Sequence, residues 1–299
     1  MNITQTIRNK SHTFLLSADG NVYKDIQHIP IITNIIQIAY SRYHILFLSK
    51  DGTVYGIEDN IFKQLGLQGN KISTPTLIPN LSNIIQVACG DYHSLFLTVD
   101  GDVYGCGYNE YKQLGLQDKR IYTPTLIPNV SNIVQISCSQ SYSLFVNAYG
   151  YVYGCGINYS RQLGIQNDIV SIPTLIPNIH NIVQVACGSN HTLFLTTDGH
   201  VYGCGYNEYK QLGLHKDNIF TPTLIPMEHS IVQISCDECY SLFTTSNNHV
   251  YGIGNMEQLG FKQYNTPTLI SNYHEIKHTV HSVADNINKK LSHAVISLE

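Results

Sequence analysis

Apolar and polar positions run along this chain in short blocks, and the blocks return at a fixed step. The apolar run Ile-Ile/Val-Gln-Val/Ile begins at Ile35, Ile84, Ile133, Ile182 and Ile231, each 49 residues after the last. Val-Tyr-Gly keeps the same step, from Val54 through Val103, Val152 and Val201 to Val250. Gln-Leu-Gly begins at Gln64, Gln113, Gln162 and Gln211, then at Gln258, two residues early. Pro-Thr-Leu-Ile follows each, from Pro75, Pro124, Pro173, Pro222 and Pro267. An altered copy, Val22-Tyr23-Lys24, stands 32 residues before the first full one. Separate landmarks kept in one order define a tandem repeat. It fills residues 1–299, which read as a single domain with no long linker.

Within one repeat, residues 84–132, four strands are expected. IIQVACG is short, apolar and β-branched, and reads as a buried strand. HSLFLTV is a second, joined by the tight-turn signal Asp100-Gly101 to a third, DVYGCG. After the polar loop NEYKQLGLQDKR comes TPTLIPN, with Pro124 and Pro128 at its ends. Proline lacks a ladder donor, so this fourth strand belongs on the outside. No window carries the 3.6-residue period of a helix. Each repeat is therefore an antiparallel four-stranded unit with two apolar faces. Stacking copies around an axis buries both, so the fold class is all-β and the architecture a closed β-propeller. The hairpin of the first two strands can be counted by its central position: His12, His44, His93, Tyr142, His191, Tyr240 and His293. That gives seven blade positions with incomplete terminal blades, Asp25, Ile26 and Gln27 standing in for a lost arm of the first. Six blades with an extra hairpin is the alternative.

Composition narrows the function classes. Apolar residues make up 43% and charged residues only 13%, with formal charge -4. That excludes a disordered chain. There is no Lys/Arg run for nucleic acid or an anionic membrane surface, and no apolar run long enough for a spanning helix. The opening MNITQTIRNK lacks a secretory pattern, and the closing AVISLE lacks a prenylation cysteine.

Candidate chemistry is absorbed by the repeat. Cys89, Cys138, Cys187 and Cys236 are one position copied, as are Cys106, Cys155 and Cys204. They read as reduced core thiols, which implies a reducing compartment inside a cell: cytoplasm, host cytoplasm or nucleus. Cys236 and Cys239 form a CxxC with no second pair, so zinc is not expected. The slot of His44, His93 and His191 accepts Tyr142 and Tyr240, so it reads as an amphipathic group bonding a buried carbonyl rather than a metal ligand. His274, His278, His281 and His293 cluster outside the rhythm and read as ordinary loop residues. Gly105-x-Gly107 lacks the third glycine and helix of a nucleotide fingerprint, and reads as a corner where backbone comes close. Carboxylates are sparse and unpaired. No catalytic residue, metal site or cofactor is expected.

Function should lie where the copies differ. The loop between the first two strands varies as Arg42, Asp91, Gln140, Ser189 and Glu238, again at steps of 49. In a ring these belong on one face around the channel, with Asp91, Asp237 and Glu238 as its acidic side. They are the candidate partner-binding residues, with charge setting partner choice. The loops before the fourth strand add Tyr108, Glu110, Tyr111, Tyr159, Arg161, Tyr206, Glu208 and Tyr209, with tyrosines suited to an interface.

The string A-C-G-x-x-H-x-L-F-L-x-x-D-G-x-V-Y-G-C-G-x-N-x-x-x-Q-L-G, fullest at Ala88–Gly115 and Ala186–Gly213, resembles the repeat of the RCC1 (regulator of chromosome condensation) family. Zero tryptophans set it apart from WD40 repeats. The resemblance covers essentially the whole chain and implies a seven-bladed propeller. Family members include a nucleotide exchange factor for a nuclear GTPase that docks on nucleosomes, binding modules of ubiquitin ligases and ciliary proteins, and bacterial effectors. Here the repeats are uniform, without an inserted wedge loop or a basic N-terminal tail. The expectation is a monomeric, non-enzymatic interaction scaffold with a protein partner and no direct contact to nucleic acid or membrane. Guanine-nucleotide exchange on a small GTPase is the alternative that the resemblance implies.

Overall fold

The computed structural model describes residues 3–8, 12–25 and 31–272. Within them six antiparallel sheets follow one another as the blades of a propeller. The first has three strands, Ile3–Arg8, Thr13–Ser17 and Val22–Lys24. The next five have four each, in sequence order from the inside outward. In the third blade these are Ile84–Cys89, His93–Thr98, Val103–Tyr108 and Arg120–Leu126. The described residues thus carry six blades, the smaller of the two counts the sequence allows. The seventh hairpin position at His293 lies outside the described residues, as do His274, His278, His281, Ile26 and Gln27.

Pro124 is not at the end of its strand, as the sequence suggests, but inside Arg120–Leu126. It sits where the register shifts between Gly105 and Gly107, so the missing N–H falls in a bulge of an edge strand and no ladder bond is lost. Its ring packs against Gly66 of the preceding blade, where an added Cβ would lie 2.8 Å from the proline Cδ.

The core lies between blades. Every residue of the second strand is buried in blades two to six. Phe47, Phe96, Phe145, Phe194 and Phe243 are fully buried at one repeating position. Clusters run through three consecutive blades, Leu46 to Phe145 in one and Tyr142 to Phe243 in another. Each hydrophobic face is therefore covered by its neighbour.

Two polar devices fix how blades stack. The innermost strands of successive blades do not share a ladder; the repeat glutamine supplies a substitute rung. Gln86 Nε2 donates to Ile136 O at 3.0 Å, and Ile136 N donates to Gln86 Oε1 at 2.9 Å. Gln37 grips Val87, Gln135 grips Val185 and Gln184 grips Ile234 in the same way. The second device runs through the histidine slot. His93 Nε2 lies 3.0 Å from Ser143 Oγ of the next blade. Ser143 Oγ donates to Gln113 O at 2.7 Å, so the hydroxyl accepts from the imidazole N–H and passes its own proton to a carbonyl. His44–Ser94–Gln64 and His191–Ser241–Gln211 repeat the relay. The carbonyl predicted from sequence is reached through a hydroxyl. Tyr142 in the same slot reaches carbonyls without a hydroxyl between, Gly188 O and His191 O at 2.9 and 2.7 Å. Cys106 Sγ donates to Gln64 O from inside the same interface.

Gly107 explains the glycine corner. Its φ is +112°, and an added Cβ would fall on the Tyr92 carbonyl and 2.8 Å from His93 Cα. Asn109 then shapes the following loop, its side-chain amide donating to Leu116 O and Asp118 O while Leu114 N donates to its oxygen.

Candidate functional site

The loop between the first and second strand is a four-residue turn. Gly90 N donates to His93 O at 2.9 Å, and Ser41, Ser139, Gly188 and Asp237 repeat that bond in their blades. The turn is pinned at both ends, so its second residue must face outward. The five turns meet around the propeller axis and enclose a cavity of about 390 Å³. Arg42, Asp91, Gln140, Ser189, Asp237 and Glu238 all line it. The structure therefore brings together every residue of the rim inferred from sequence spacing. Gln140 Nε2 also donates to Ser189 Oγ at 3.4 Å, linking adjacent blades.

Three carboxylates and one guanidinium meet at this mouth. Arg42 bonds the Tyr43 hydroxyl and feels Glu238 and Asp91, and these hold its guanidinium above its ordinary value. One carboxylate oxygen of Asp237 accepts from Glu238 N at 2.7 Å and the other from Tyr240 OH at 3.0 Å. Burial, with the Asp237 charge beside it, pushes the Tyr240 hydroxyl up.

The channel wall corrects one expectation. Cys106, Cys155 and Cys204 are core thiols, but Cys89, Cys138, Cys187 and Cys236 are only half-buried and line the cavity. All eight cysteines are free. Burial pushes the Cys187 thiol up to about 12 and raises Cys89, Cys138 and Cys236 well above the usual range. A thiol so shifted is a poor nucleophile. Among the described residues no group of three or more His, Cys, Asp or Glu side chains could hold a metal ion.

Outward from Asp91 lies a feature that spacing did not single out. Tyr43 and Tyr92, next to Arg42 and Asp91, stack with centroids 4.6 Å apart. Phe62 of the outer loop meets Tyr92 at 4.8 Å and Tyr108 at 5.1 Å, and Tyr111 closes the row 5.7 Å from Tyr108. All five rings are partly exposed. The equivalents of Tyr43 and Tyr92 in later blades are Ser141, Asn190 and Cys239, so the row is confined to blades two and three. In the other outer loops Tyr206 meets Tyr209 at 5.9 Å, and Tyr159 stands exposed. The loop ions pair locally: Glu110 with Lys119, Arg161 with Asp168 and Lys210 with Asp217.

With this geometry in place, comparison with known proteins is informative. A family model described as RCC1-like domain matches residues 28–292. Human WBSCR16 in its crystal structure is 25% identical over 86% of this chain and 68% of its own, with TM-score 0.74. Prp20p of Saccharomyces cerevisiae, whose crystal structure was described together with its binding properties to Gsp1p and histones, is 20% identical over 96% of this chain and 84% of its own, TM-score 0.76. Yeast RCC1 (Prp20) bound to Kap60 is similar, 19% identical over 94% and 81%, TM-score 0.77. No curated protein matches the chain.

Proposed function

Because this chain belongs to the RCC1-like domain family, we propose that it is a non-enzymatic interaction propeller that binds another protein through the channel mouth. One observation carries the reading: Arg42, Asp91, Gln140, Ser189 and Glu238, five copies of one repeat position that differ in charge, converge with Asp237 on one cavity rim. Repeats held alike by the glutamine rungs and hydroxyl relays have no structural need for Arg42, Asp91 or Glu238, which lie outside both devices. Charges on such a rim select a partner and steer its approach. The thiols of the wall, raised by burial, suit packing rather than chemistry. Eight free cysteines fit a reducing interior, and we place the protein inside a cell.

The test is affinity capture from the source cell with the parent chain and with Asp91, Asp237 and Glu238 reversed to lysine. The reading expects a protein retained by the parent and lost with the reversal. Retention unchanged by the reversal would discard the rim.

A second reading comes from the family. An exchange factor stabilises a nucleotide-free GTPase by contact alone, so it needs no nucleophile. Prp20p, which shares this fold, is described as binding Gsp1p. This reading expects faster release of fluorescent GDP from a small GTPase at sub-stoichiometric propeller. No acceleration across a panel of GTPases would remove it.

A further inference from the structure

The aromatic row begins where the mouth ends: Tyr43 and Tyr92 directly follow the lining residues Arg42 and Asp91, and Arg42 bonds the Tyr43 hydroxyl. We propose that this surface docks a basic segment of a partner protein, an arginine or lysine at the acidic mouth and a neighbouring apolar or aromatic side chain on the Tyr43–Tyr92–Phe62–Tyr108 row. The proposal rests on the channel-mouth reading above and names its partner's chemistry.

Charge complementarity selects this occupant. Among the described residues the charged side chains lining the mouth are Asp91, Asp237, Glu238 and Arg42, three negative against one positive. Among the described residues the outer loops show no comparable surplus: Glu110, Asp168 and Asp217 each hold a basic partner within 3.0 Å, and Glu208, bonded by the Tyr206 hydroxyl, shares its loop with Lys210 and Lys216. A cation approaching this face is therefore drawn to the axis rather than the periphery. The chain already shows what the site accepts. Arg42 occupies the mouth beside Glu238 and Asp91, and Arg120 lies over the Phe62 ring at 5.3 Å. Both are guanidinium groups, one bonded by a tyrosine hydroxyl in the field of carboxylates and one over an aromatic face.

The row also sets direction. With Ser141, Asn190 and Cys239 at the equivalent positions, blades four to six offer no stacked pair. A bound segment would run from the axis outward across blades two and three. Tyrosines here bring large contact area at small cost in side-chain entropy, as interface residues do.

Three labelled peptides of equal length test this by fluorescence anisotropy with the full chain: alternating Arg and Phe, alternating Glu and Phe, and alternating Arg and Ser. The Arg–Phe peptide should bind, the Arg–Ser peptide at least tenfold more weakly, and the Glu–Phe peptide not at all. The variant Asp91→Gln with Tyr92→Ser grafts the turn sequence of blade four, Gln140-Ser141, onto blade three, so its fold is already represented in the chain. It should weaken Arg–Phe binding at least tenfold, while Asp168→Lys, a larger charge change at an outer loop, should leave it unchanged. Equal binding of the Glu–Phe peptide, or an unchanged affinity in the grafted variant, overturns the proposal. Glu–Phe binding that the graft abolishes would refute the basic partner yet keep the mouth as a binding face; the charge-reversed capture decides that broader reading separately.

Discussion

Lowering the pH should unfold this propeller through its three relay histidines. His44, His93 and His191 are fully buried, and burial pushes each imidazole down to about 3 from 6.5. The relay fixes the tautomer: Nε2 carries the proton toward serine, so Nδ1 is the basic atom. In His44 that atom lies 3.0 Å from the Ser41 hydroxyl. In His93 and His191 it has no partner, being packed beneath Gly90 and Gly188, where any Cβ would collide with the ring. A proton added there has no acceptor. The folded state therefore refuses protons that the unfolded chain takes up below about 6.5. Stability is complete above that value and falls until the pH reaches about 3. At pH 5, about 1.5 below the ordinary imidazole value, each histidine costs about 2 kcal/mol and the three together about 6 kcal/mol. Set against a total stability on the order of 5–15 kcal/mol, that is a large fraction. Urea unfolding at pH 7.5 and 5.0 measures it. A His93→Gln variant isolates the cause: it should be less stable at pH 7.5 yet lose about 2 kcal/mol less on acidification, while other titrating groups cancel in the difference. Equal pH dependence of parent and variant would refute the reasoning.

Three further outcomes follow from the same contacts. Gln86→Leu leaves Ile136 N–H and C=O without their rung, and should lower the urea-derived stability by roughly 2–4 kcal/mol; a loss under about 0.5 kcal/mol would mean the rung is dispensable. Gly107→Ala places a Cβ on a neighbouring carbonyl at φ +112°, and should cost roughly 3 kcal/mol or more by thermal shift or leave the chain insoluble. With an aromatic disulfide reagent at pH 7.5, the native protein should show no rapidly reacting channel thiol and the urea-unfolded chain all eight; fast stoichiometric labelling of Cys89, Cys138, Cys187 or Cys236 in the native state would contradict their raised pKa values.

Much of this is legible in the order of residues alone. A period of 49 residues puts equivalent residues at equivalent places, so the order of strands and the convergence of Arg42, Asp91, Gln140, Ser189 and Glu238 follow from counting. The parts that escape depend on contacts between different positions of different repeats. The row from Tyr43 to Tyr111 joins an inner turn to an outer loop: Tyr43 and Tyr92 are one repeat apart, but no repeat step links that pair to Phe62 or Tyr108. The relay hydroxyl of Ser143 looks like any strand serine until the next blade places His93 against it. The channel cysteines sit among apolar strand residues in sequence, but the innermost strand has a neighbour on one side and the cavity on the other. Pro124 marks an edge, as expected; its place in a bulge depends on the register with Gly105 and Gly107.

Site-specific photo-cross-linking in the source cell examines the binding face most directly. A benzophenone side chain placed at Gln140 or Ser189 should yield a discrete protein adduct, and the adduct should vanish when Asp91 and Glu238 become lysine. The same group at Leu175, exposed on an outer strand, should yield none. An adduct formed from Leu175 and absent from both mouth positions would contradict the account.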